Sequence, residues 1–143
     1  MELELWGLFQ AARGANATLI LAVVIGIWIA ARFASVAMQN NVPLFGKIVI
    51  TVFALAGFLF GWQVFTTAAN NFTITSNAML ALEESGEAIS PIAKGFIEYF
   101  PAGELSASPP IIGIFYLVAG LLIAVVPLSV SYTHLRAHET DYY

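Results

Sequence analysis

Side chains able to act together chemically are few in this sequence. Glu83, Glu84 and Glu87 lie within five positions, and Glu83 and Glu87 share a face if the segment is helical. Clustered carboxylate oxygens suit a hard divalent cation. Runs of like charge are more commonly a solvated rim, and that is the expectation for these three. His134 and His138 are four apart, a spacing that lets two imidazoles grip one metal from a helix face. The chain has no other histidine and no cysteine. Outside that pair there is no residue for histidine acid–base catalysis or haem ligation through histidine, and thiolate metal sites and disulfides are excluded. No pattern sets a base beside a serine, and no glycine-rich phosphate loop is present. The sequence therefore predicts a protein that is not an enzyme and has no catalytic residues, no metal site and no cofactor.

The elements carrying these residues are built for apolar surroundings. Of the 143 residues 59% are hydrophobic and 10% charged, with mean hydropathy +0.84; soluble domains carry about 25% charged residues. The net charge is −4, and the basic residues Arg13, Arg32, Lys47, Lys94 and Arg136 are scattered. Nucleic acid is thus excluded as a partner, since phosphate binding needs clustered cations. Gly14 to Ala31 is an eighteen-residue uncharged run between Arg13 and Arg32. It is about as long, as a helix, as a bilayer's hydrocarbon core is thick. A cleavable signal is a poor fit despite Ser35-Val36-Ala37, because the start, MELELW, is acidic. Lys47 opens a second charge-free interval, Ile48 to Leu82, of which Ile48 to Phe65 is apolar enough to span. Ile111 to Val130 has the length of a third span.

The expected fold is all-α: an integral membrane bundle of three transmembrane helices, with a short amphipathic helix in the long second loop. Spans are expected at about 15–38, 46–68 and 110–130, and a water-facing loop at about 70–109. Small residues mark the faces on which the spans would pack. In the first span Gly14, Thr18, Ala22, Gly26, Ala30 and Ala34 recur every four residues. The second holds Ala54, Gly57 and Gly61, a GxxxG; the third holds Gly113, Gly120 and Ala124. Gly26→Leu or Gly57→Leu is expected to disrupt helix pairing.

Between the first two spans Asn41 reads as an N-cap, with Pro43 in the following first turn. Arg32 can snorkel to the interface. Trp62, Gln63, Thr66, Thr67, Asn70 and Asn71 read as the exit from the membrane. Ser76 to Ser85 is expected as a short helix ended by Gly86. Ser90-Pro91 reads as an N-cap and first helical residue. Behind it Ile92, Ala93, Phe96, Ile97 and Phe100 form an apolar stripe. Such a helix lies on the bilayer or caps the bundle, or docks a partner through Ile92, Phe96, Ile97 and Phe100.

The tail is of another kind. SYTHLRAHET, Ser131 to Thr140, resembles translated sequencing-adapter DNA and no protein family. Residues 131–143 are accordingly expected to be a non-native tail, with the natural chain cut near Val130 and the His134/His138 pair without meaning. Arg32 and Lys47 flank the first loop, whereas Glu83, Glu84, Glu87, Glu98 and Glu104 outnumber Lys94 in the second. The basic residues place the first loop in the cytoplasm and the acidic loop outside, in a multi-pass cell-membrane protein. The partners expected are the lipid bilayer and either further copies or a larger membrane complex. The favoured role is a structural or accessory subunit associating through its small-residue faces. A transporter or channel component lined by Gln63, Asn70 and Asn71 is the alternative. A fragment of a larger membrane enzyme or redox subunit is the third.

Overall fold

The computed structural model describes residues 1–130; the tail and its His134/His138 pair lie outside the described residues. Four helices follow in order: α1 (Glu2–Gln39), α2 (Leu44–Glu84), α3 (Pro91–Tyr99) and α4 (Ile111–Val130). The protein is all-helical among the described residues, with three helices long and apolar enough to cross a membrane and one short helix. α1 and α2 have 38 and 41 residues. At about 1.5 Å per residue each is roughly twice as long as a hydrocarbon core is thick.

The second helix does not end where its polar residues begin. Ser76–Ser85, expected as a separate helix, continues α2 without a break to Glu84. Hydroxyls and amides weaken a helix when they compete for its backbone. Here Thr66 and Thr75 only donate to the carbonyls of Trp62 and Asn71, one turn back. Asn70 and Asn77 spend their amides on a distant segment. α2 stops at Gly86, whose φ of +89° few other residues tolerate. The N–H groups of Gly86 and Glu87 donate to the carbonyls of Glu83 and Leu82, closing a Schellman motif.

α1 ends in the same way. Asn41 is its left-handed C′ residue, at φ +48°, rather than the N-cap of α2. The N–H groups of Asn41 and Val42 donate to Met38 and Ala37, and Val42 packs on the Ala34–Ala37–Leu128 cluster. The asparagine satisfies the helix behind it because it tolerates the left-handed region.

The chain forms two compact units: Met1–Ile20 with Trp62–Ile111, and Leu21–Gly61 with Ile112–Tyr143, the latter described as far as residue 130. The second unit packs by shape. Val23, Ala30, Ala34 and Ala37 are its buried positions on α1, and Ala30 meets Ala54 and Ala124. Val23, Ala30 and Ala37 recur every seven residues, a period that stays on one face. The four-residue repeat instead drifts by about 40° per step, so Gly14 stands about 200° round the helix from Ala34. Accordingly Gly14, Thr18 and Ala22 are exposed, Gly26 is half-buried, and Ala30 and Ala34 are buried. Ala54 and Gly61 are buried and Gly57 half-buried; Gly113, Gly120 and Ala124 are all buried.

Three glycines of this unit have no room for a side chain: a Cβ on Gly46 would collide with the Val42 side chain. A Cβ on Gly61 would collide with the Leu117 side chain and lie 3.1 Å from Val23 Cγ1. A Cβ on Gly120 would lie 2.7 to 3.0 Å from three carbons of Ile27. Gly26 and Gly57, which line a small void beside Ala30 and Leu121, have nothing within 4 Å of an added Cβ. Outward the unit shows Trp28, Phe33, Phe53, Phe115 and Leu122. Its hydroxyls on Ser35, Thr51 and Ser129 donate to carbonyls of their own helices. This is how a hydroxyl is satisfied where water is missing.

Candidate functional site

The first unit is where the polar and aromatic residues converge. α3 begins as its sequence predicts, with Ser90 Oγ accepting from Ala93 N and Pro91 at the first helical position. Its apolar stripe is largely turned inward. Ala93 is buried with Met79, Leu82 and Ile89, and Ile97, Leu5 and Trp6 pack on that cluster. The Phe96 ring lies edge-on to Trp6 and Phe9, with centroids 5.2 and 5.3 Å apart. Phe100 meets Phe72 at 4.5 Å and Phe96 at 5.1 Å. Edge-on and offset contacts of this kind add about 0.5–1.5 kcal/mol each beyond area burial. Of the four residues expected to meet a partner or the interface, Phe96, Ile97 and Phe100 are thus brought together within the chain. Ile92 stays 75% exposed.

The start of α1 clamps the start of α3. The Glu2 carboxylate accepts from Ser90 N at 2.8 Å, from Ser90 Oγ at 2.7 Å and from Trp6 Nε1 at 3.0 Å. The hydrogen bonds from Ser90, side chain then backbone, with a further one from Trp6, hold this carboxyl below its ordinary value of 4.5. Glu2 lies well before the uncharged run of α1, and its charge also suits the positive end of α3.

The segment after α3 is pinned along α2. Ser76 Oγ donates to Phe100 O at 2.5 Å. Asn77 both donates to Gly103 O, at 3.0 Å, and accepts from Gly103 N, at 2.8 Å. Asn70 treats Ser106 likewise, at 2.8 and 2.9 Å. Trp62 Nε1 donates to Ala107 O at 3.4 Å. The register follows from chain geometry. Seven helical residues, 70 to 77, rise about 10.5 Å. Three extended residues, 103 to 106, cover about 10–11 Å. Two asparagines on one helix face therefore act as clips, each offering a donor and an acceptor to an antiparallel strand-like segment.

Beside the clips lies an open cleft of about 400 Å³, walled by Phe72, Thr73, Tyr99, Phe100, Pro101 and Pro110. Beyond the spacing Asn70-x6-Asn77, nothing local in the sequence marks this cleft, or the roles of Glu2 and Asn77. The other side chains singled out are dispersed. Gln63 is exposed, and Asn71 Nδ2 is buried without a hydrogen-bond partner among the described residues. Lys94 pairs with Glu83 at 2.9 Å, while Glu84 and Glu87 are exposed. Among the described residues no three His, Asp or Glu side chains converge as metal ligands would. Arg13 stands 5.6 Å over the Phe9 ring, and Arg32 is exposed. No protein-family model matches the chain, and comparison with curated proteins and with solved structures returned no match.

Proposed function

We propose that this chain is a non-catalytic structural or accessory protein of the cell membrane that associates, with further copies or with larger subunits, through a small-residue face of α1. The observation that carries this reading is how α1 divides its small residues. Ala30 and Ala34 are covered within the chain, whereas Gly14 and Thr18 are uncovered, as is Ala22 four residues on. The Thr18 hydroxyl donates to Gly14 O at 3.2 Å, so this face asks nothing polar of a neighbour. A face of that kind lets a second backbone come close, which is what drives helix association in lipid. Support also comes from the polar side chains. Asn70, which a transport path would need, has its amide engaged by Ser106. In the orientation favoured by the basic residues, Arg32 and Lys47 face the cytoplasm.

The test is the mass of the particle in native-membrane nanodiscs, for the unsubstituted chain and for Ala22→Leu. The reading expects a mass above one chain, falling to that of the monomer in the variant. A monomeric particle for the unsubstituted chain, with no other subunit present, overturns it.

A further inference from the structure

The cleft of the first unit has a chemistry that association does not use. Its walls are aromatic rings, proline rings and one hydroxyl, with no charged side chain among them. Three observations narrow what fits. The wall residue Pro110 directly precedes Ile111, the exposed first residue of α4, so the cleft adjoins the point where a membrane-compatible helix begins. The apolar molecules present at that level are lipids. The outer wall is fixed beforehand, because Ser76, Asn77 and Asn70 hold the segment of Phe100 to Ser106. A pre-formed site does not have to be ordered on binding. The hydroxyl is available, since Thr66 and Thr75 spend theirs on α2 carbonyls while the Thr73 hydroxyl makes no hydrogen bond to any described residue.

The cleft by itself is too small to be a protein interface. A cleft of about 400 Å³ admits one alkyl chain or one side chain. A stable protein interface buries about 800 Å² on each partner. We propose that the cleft binds one acyl chain of a membrane glycerolipid, with the Thr73 hydroxyl donating to the ester carbonyl and the Tyr99 ring covering the chain.

The full chain, reconstituted in phosphatidylcholine vesicles with a trace of phosphatidylcholine bearing an acyl-chain diazirine, is irradiated, digested and mapped by mass spectrometry. Adducts are expected at Phe72–Thr73 and Tyr99–Pro101, at least fivefold above those on Trp28 and Phe53. Ala69 also lines the cleft, and Ala69→Trp, which fills it, is expected to cut the cleft adducts at least fivefold. Thr73→Val keeps the shape but removes the donor, and should cut them about fivefold, the worth of one hydrogen bond. Adducts at Trp28 and Phe53 with a bare cleft overturn the proposal. So does cleft labelling that neither variant changes. The inference rests on membrane insertion and not on association: without insertion, Trp28 and Phe53 also stay unlabelled.

Discussion

The two units are held by opposite means. In the second, the tight places are apolar: a Cβ added at Gly61 would meet Leu117 and Val23, one at Gly120 would meet Ile27, and one at Gly46 would meet Val42. Its hydroxyls turn back on their own helices. In the first, the contacts that fix the chain are directional. They join Glu2 to Ser90, Asn70 to Ser106, Asn77 to Gly103 and Ser76 to Phe100. Shape complementarity is available where water is absent, because it needs no polar group to be desolvated. Clips of amide and carboxylate secure an irregular segment whose backbone groups would otherwise lack partners. The chain thus changes its method of packing partway along α1 and α2, with no break in either helix.

The largest effect is expected from overpacking in the second unit. Gly120→Leu should lower unfolding stability in detergent by about 3 kcal/mol, the upper end for overpacking. The smaller step to alanine also tests it. Gly120→Ala should cost more than Gly61→Ala, because Ile27 is β-branched and stiff in a helix, whereas the obstacle at Gly61 is the far end of Leu117. Denaturant titration followed by circular dichroism measures all three.

Next in size is the loss of a clip in the first unit. Asn77→Ala removes two hydrogen bonds to Gly103 and should cost about 1–2 kcal/mol. Its distinguishing sign is local. Hydrogen exchange at Gly103 and Ser106 should rise, with exchange around Ala54 and Ala124 unchanged; uniform loss of protection would merge the two units into one cooperative body.

A weaker effect is expected from acid. Because Ser90 and Trp6 hold the Glu2 carboxyl below 4.5, its contribution is complete above that value and is lost as pH falls through the lowered folded value. Protection at Ser90 and along α3, taken against the intrinsic exchange rate at each pH, should therefore fall on acidification in that range, and Glu2→Gln should remove the dependence. The smallest effect is expected at Gly26 and Gly57. A methyl there meets open space, so Gly57→Ala should change stability by no more than about 1 kcal/mol, in the stabilising direction. Disruption of helix pairing by leucine, expected at these two glycines from sequence, is a separate matter from a methyl; within the unit an added Cβ would be crowded at Gly61 and Gly120.

What the sequence conveyed was local. Ser90, Pro91 and the inward stripe of α3 were legible because a cap and a helical period are defined within a few residues. Gly86 was legible as a helix end for the same reason. The full length of α2 was not. Thr66, Thr67, Asn70 and Asn71 read as an exit from the membrane, and nothing near them tells that Asn70 has its partner 36 residues away. The four-residue stripe of α1 was legible as a set of small side chains but not as a face, because its drift separates Gly14 from Ala34. Nothing near Glu2 announced Ser90.

That clamp also sets a schedule. Glu2 and Ser90 are 88 residues apart in the chain. At a synthesis rate of about 5–20 residues per second, roughly 4–18 s separate the making of one from the making of the other. Throughout that interval Trp6 and Phe9 exist without the α3 ring they will meet, and the carboxylate has no helix start to hold. The turn at Asn41 and Val42, by contrast, completes within a second or so of Ala37. The nascent chain can thus close its α1–α2 turn early, while its first residues are the last of α1 to find their place.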